Sequence, residues 1–284
     1  MAKYHVERDN KVEEEDKSGC KLVFSKEQFA GLIFLPVILN GRRIIAFFDT
    51  GAGMTFIRSS LAKEMGLKEQ SQLRGGNNQG KQMDFRTVEV GSLVLGQERM
   101  ENLSAGVVPD ESMDFGHDSE GNAFPADLIL GWDVIGNVRF AFDMRKREVL
   151  VKPGGVSPQE DSLKWDRFPK IQIDYQGEKY PMGFDTGHTE TMLDDSWLNR
   201  IQGLHSSSTV VQGIGSRSEE EVHIADRLTF FVYGQEVTLE HIEIMNYEIP
   251  GSVPGSISGL LGIDLVKGKR WTMDGKSRHF QILD

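Results

Sequence analysis

The residues of this sequence best placed to do chemistry are two aspartates in matching settings, Asp49-Thr50-Gly51 and Asp185-Thr186-Gly187. Each closes an apolar, strand-like run: Ile44-Ile45-Ala46-Phe47-Phe48 before the first, Tyr180-Pro181-Met182-Gly183-Phe184 before the second. Two carboxylates brought close together cannot both ionise, because like charges raise the second pKa, so the pair holds one proton between them. One member can then deprotonate a bound water while the other protonates the carbonyl oxygen of an amide. Such a device needs neither a metal nor a covalent intermediate, and none of the residues here calls for a cofactor. The threonines can tie the two turns to one another by hydrogen bonds, and the glycines let the backbone approach closely.

The elements that must position these aspartates are duplicated as well. Six residues after each aspartate comes a threonine, Thr55 and Thr191, followed by the apolar pairs Phe56-Ile57 and Met192-Leu193. Each copy continues with a short helical pattern, Ser59 to Met65 before Gly66 and Asp194 to Gln202 before Gly203, with N-cap residues at the start and the glycine at the end. A second matched pair follows, Ile129-Leu130-Gly131-Trp132-Asp133 and Leu260-Leu261-Gly262-Ile263-Asp264, at nearly the same offset. The chain is therefore a tandem duplication. Asp133 and Asp264 are expected to be structural, capping the short helices after their glycines.

Between these landmarks the pattern is β. Phe34 to Leu39, turn Asn40-Gly41 and Arg43 to Phe48 predict a hairpin, repeated by Lys170 to Tyr175, Gln176-Gly177 and Lys179 to Phe184. Thr87 to Leu95, Leu228 to Val232, Val138 to Phe142 and Val149-Leu150-Val151 also read as strands. The expected organisation is an acidic arm over 1–21, one lobe over 22–152, a Pro- and Gly-containing linker over 153–164 and a second lobe over 165–284.

At this point the residues resemble the superfamily of aspartic proteases that unites pepsin with the retroviral enzymes. Asp49-Thr50-Gly51-Ala52, continued by Thr55-Phe56-Ile57, is similar to the retroviral-type active-site string. Ile129-Leu130-Gly131 with Asp133 resembles the hydrophobic-hydrophobic-glycine motif that packs beside the active-site loop. The resemblance extends over almost the whole chain beyond the arm and is closest to bacterial retropepsin-like proteins with both lobes in one polypeptide. It implies a mainly β fold of two pseudo-symmetric, barrel-like lobes with few short helices. Asp49 and Asp185 would then be catalytic, supported by Thr50, Gly51, Ala52, Thr186, Gly187 and His188, and the substrate a peptide or protein. It also implies flaps between helix and second motif, for which Gly75-Gly76-Asn77-Asn78-Gln79-Gly80 and Gly213-Ile214-Gly215-Ser216 are the candidates, Gly76, Gly80, Gly213 and Gly215 among them. Neither stretch carries the tyrosine of pepsin-type flaps. His188 stands where the family has alanine or serine. Its imidazole either lowers the pKa of Asp185 or turns outward to cap a loop. The first alternative would permit a pseudo-protease that binds peptides and cleaves them poorly.

Composition narrows the remaining classes. The 284 residues carry a net charge of −11, which argues against nucleic acid as a partner. The longest apolar stretch, Phe29 to Leu39, contains Pro36 and is too short to span a bilayer, so no membrane is expected. A single cysteine, Cys20, rules out an intrachain disulfide and fits a reducing, cytoplasmic setting. The histidines, His223 and His241 among them, show no metal-ligand spacing in sequence, and no metal is expected. Because both aspartates lie in one chain, a monomer suffices to build the site.

Overall fold

The computed structural model describes residues 20–23, 29–76, 82–155, 162–165, 169–246 and 256–283. The chain is mainly β, with two short α-helices and four 3-10 turns among the described residues. Each lobe is a closed barrel. In the first, Phe34–Leu39 pairs antiparallel with Arg42–Phe48, which runs parallel to Leu128–Leu130. That strand pairs antiparallel with Phe56–Arg58, which runs parallel to Glu98–Val108. Gln82–Leu95 then pairs back onto Phe34–Leu39 through Ile38↔Val94 and closes the ring.

The second lobe repeats every step. Pro169–Tyr175, Glu178–Phe184, Gly259–Leu261, Met192–Leu193, Gln235–Ile244 and Ser216–Val232 follow the same order with the same parallel and antiparallel pairings. The ring closes through Ile173↔Val232. Both predicted hairpins form, and their turn residues sit at positive φ: Asn40 at 47° and Gly41 at 83°, Gln176 at 53° and Gly177 at 82°. That double left-handed turn matches the twist of the flanking strands.

The predicted helices are shorter than their sequence patterns. The first spans Ser59–Glu64, with Arg58 rather than Ser59 at the cap. The Ser59 hydroxyl donates instead to the Asp110 carboxylate. The second is a 3-10 turn, Asp195–Asn199, whose expected cap holds: the Asp194 side chain accepts from the Ser196 N–H. Of the apolar run from Phe29, only Phe34–Leu39 is strand. Phe29–Gly31 is a 3-10 turn in which Phe29 itself has φ 50°.

A third sheet joins the lobes. Its order is Cys20–Val23, Glu148–Pro153, Val138–Asp143, Arg270–Asp274 and His279–Ile282. The junction is the antiparallel pairing of Val138–Asp143 with Arg270–Asp274, in the register Phe142↔Trp271. On it lies a run of aromatic rings. Phe48 meets Phe140 and Phe142 edge-on at 5.0 and 5.4 Å, and Phe142 stacks on Trp271 at 4.3 Å. Trp271 then meets Phe184 at 5.6 Å. Phe48 and Phe184 each immediately precede one of the two aspartates, so this core supports both from below.

Candidate active site

Asp49 and Asp185 meet where the lobes meet. Each follows the last residue of its barrel strand, and its backbone N–H donates to the neighbouring strand, Asp49 to the Leu130 carbonyl at 3.1 Å and Asp185 to the Leu261 carbonyl at 2.9 Å. The two threonines lock the turns reciprocally across an interval of 136 residues. The Thr50 N–H donates to Thr186 Oγ1 at 3.1 Å, and the Thr186 N–H donates to Thr50 Oγ1 at 2.9 Å. The hydroxyls continue outward, Thr50 to the Phe184 carbonyl at 2.7 Å and Thr186 to the Phe48 carbonyl at 2.9 Å. Both threonines are fully buried, so these four bonds exchange no partner with water.

The glycines leave room for the opposite carboxyls. A Cβ on Gly51 would lie 2.3 Å from Asp185 Oδ2, and one on Gly187 would lie 2.7 Å from the Asp49 carboxyl carbon. Each carboxyl therefore rests over the other turn's glycine. Asp49 accepts from the Gly51 and Ala52 N–H groups at 2.9 and 3.0 Å, and Asp185 from the Gly187 N–H at 2.8 Å. Burial raises the Asp49 carboxyl well above the ordinary carboxylate range. The adjacent Asp185 charge and a carboxyl–carboxyl hydrogen bond push the same way, outweighing the two N–H groups that favour the anion.

His188 occupies the place in its loop that Ala52 occupies in the other. The Ile263 N–H donates to the His188 carbonyl at 2.8 Å, as the Trp132 N–H donates to the Ala52 carbonyl at 2.7 Å. Its ring Nδ1 lies 2.6 Å from the Glu190 carbonyl. The imidazole thus contacts the backbone of its own loop.

The paired hydrophobic-glycine motifs close beneath these loops. Thr55 Oγ1 donates to the Asp133 carboxylate at 2.8 Å and accepts from the Gly131 N–H at 3.2 Å. Thr191 does the same with Asp264 and Gly262, at 2.8 and 3.2 Å. A Cβ at Gly131 would lie 2.3 Å from Met54 backbone atoms, which explains the glycine. The expectation that Asp133 and Asp264 cap helices needs correction. Each binds the next residue's N–H, but its distinctive partner is the threonine of the active-site loop. Both carboxyls are turned inward, and burial raises both above their ordinary range.

The flap candidates fall on hairpins. Gly76 ends the strand Glu69–Gly76, whose partner is Gln82–Leu95, while Gly80 lies outside the described residues. In the second lobe Gly213 and Ser216 pair across the tip formed by Ile214 and Gly215, and Gly215 has φ 65°. Beside that tip, Gln212 Nε2 donates to the Asp114 carbonyl of the first lobe at 2.9 Å.

Residues 35–134 match the protein-family model described as Aspartyl protease, a span that includes Asp49 and the Ile129-to-Asp133 motif. Over this span the first lobe is similar to aspartyl proteases. The second repeats its plan, strand for strand. No curated protein matches the chain. None of the helices among the described residues is long and apolar enough to cross a membrane.

One group escaped the sequence reading. Glu190, His241 and Glu243 bring their ligand atoms within 4.8 Å of one another. His241 and Glu243 share one face of a strand, whereas Glu190 arrives from the active-site loop far away in sequence. The available signal was a departure from the repeat: Glu190 stands where Met54 stands in the first lobe, and Glu243 where Gly106 stands.

Proposed function

We propose that the chain is an aspartic endopeptidase in which Asp49 and Asp185 form a water-activating dyad, one from each lobe. The observation that carries this reading is the reciprocal placement of each carboxyl over the other turn's glycine, held by the crossed threonine bonds. The pair shares one proton, as two neighbouring carboxyls do when like charge disfavours the doubly ionised state. The ionised partner takes a proton from the bound water, whose oxygen attacks the amide carbon. The protonated partner donates to the carbonyl oxygen, and collapse of the tetrahedral intermediate expels the amine, which leaves with a proton.

Thr50, Gly51, Ala52, Thr186, Gly187 and His188 hold this geometry. The lobes correspond to 22–152 and 165–284, and one chain suffices to build the site. An extended peptide would pair its backbone with the cleft and with the second-lobe hairpin tip at Gly213 and Gly215, which acts as a lid. A second reading, a peptide-binding protein with little hydrolysis, is favoured by the unequal anchoring of the dyad, since Asp49 accepts two backbone N–H groups and Asp185 one among the described bonds.

The test is incubation with mixed peptides over about pH 3 to 7, which brackets normal and raised carboxyl pKa values, with products read by mass spectrometry. Cleavage abolished by both Asp49→Asn and Asp185→Asn supports the dyad, and retained cleavage in either variant overturns it. Peptide binding without cleavage in the unsubstituted chain selects the second reading.

A further inference from the structure

The second lobe has acquired polar groups where the first is apolar or bare. Glu243 is buried, at 8% exposure, between strand neighbours Met192 and Ile224, both buried and apolar. Gly106, its counterpart, lies under the Phe56 ring with no room for a side chain. Among the described residues no hydrogen bond or ion pair satisfies the Glu243 carboxylate. It faces Glu190, a second carboxylate, and the His241 imidazole, with the three ligand atoms all within 4.8 Å. Among the described residues neither Glu190 nor Glu243 is paired with a lysine or arginine, so two neighbouring carboxylates stand without a fixed counter-charge. The third member is a nitrogen ligand rather than a cation with a fixed charge.

We propose that Glu190, His241 and Glu243 form a divalent-cation site on the second lobe, beside its active-site loop. Two carboxylates and one imidazole make a mixed oxygen and nitrogen set. This set suits Zn²⁺ or Mn²⁺ better than Ca²⁺ or Mg²⁺, which prefer oxygen alone. Three protein ligands leave a position for water. Glu190 lies next to Thr191, which is bonded to Asp264, and its carbonyl receives the His188 ring, so a bound ion would brace the segment from His188 to Thr191. The site stands on this cluster alone and does not depend on the peptidase reading.

The full chain, stripped with chelator, is titrated with ZnCl2 and separately with MnCl2 by calorimetry, and its Tm is followed with and without metal. The Asp49→Asn chain is titrated in parallel, so that the dyad cannot supply the ligands. One equivalent bound in both chains, with a raised Tm, is expected. Glu243→Gln and His241→Asn should each weaken binding at least tenfold, on the order of the losses seen when metal-site residues are altered. His241 is exposed, so its replacement leaves folding intact. Absence of binding up to millimolar metal overturns the proposal, as does unchanged affinity in the two variants.

Discussion

At the scale of single residues, Asp49 and Gly51 give the clearest tests. Asp49 titrates above its ordinary range because it is buried beside Asp185. A carboxyl with a raised native pKa binds more protons folded than unfolded. Its contribution to stability is therefore fully present below the unfolded value near 3.9 and is lost as pH rises through the native value. Asp49→Asn should accordingly raise Tm at pH 7 relative to the parent, and the gain should shrink towards pH 3. A gain that grows on acidification would contradict the sign. On the proposed mechanism cleavage should decline as pH rises, because a doubly ionised pair has no acid to offer. Gly51→Ala places a methyl group 2.3 Å from Asp185 Oδ2. Only the end of a side chain must move, so the fold should persist with Tm nearly unchanged. Turnover should fall on the order of 10² to 10⁴, the contribution of a positioned acid–base group.

At the scale of elements, each active-site loop is held by a threonine whose hydroxyl bonds both an aspartate and a glycine N–H. Thr191→Val keeps the shape but leaves the Gly262 N–H and one Asp264 oxygen without that hydroxyl. The expected loss is about 1–3 kcal/mol, read as a lower midpoint in urea with unchanged slope. Thr55→Val should cost a similar amount through Asp133 and Gly131. A neutral result at both positions would show that the loops are held by their strands alone. These bonds also show where reading the sequence fell short. The matched aspartates were visible, and so were the matched threonines. That one binds the other could not be read, because Thr55 and Asp133 are 78 residues apart and only the pairing of Phe56–Arg58 with Leu128–Leu130 brings them together. The helix boundaries failed for a related reason. Ser59 is a good cap locally, yet Asp110 from a distant turn takes its hydroxyl and the helix starts one residue sooner.

At the scale of the molecule, the lobes are not independent. They share the sheet in which Val138–Asp143 pairs with Arg270–Asp274, the aromatic run through Trp271, and the threonine bonds at the dyad. A single core cluster includes residues of both. Scanning calorimetry should therefore show one unfolding transition, and two separated transitions would contradict this coupling. Trp271→Ala removes the ring between Phe142 and Phe184, at a cost of about 3–5 kcal/mol, and should lower the one transition rather than split it.

The duplication, the two hairpins and the pair of Asp-Thr-Gly turns are legible along the chain, because they are local patterns of turn chemistry and alternating burial that repeat in register. Packing of the folded chain sets what faces what. It placed each carboxyl over the opposite glycine, turned His188 onto the Glu190 carbonyl, and gathered Glu190, His241 and Glu243 on one lobe. The physical reason is the length of the contacts along the chain. Strand pairing and close packing bring together residues separated by scores of positions, and no local propensity records which partner a buried polar group will find.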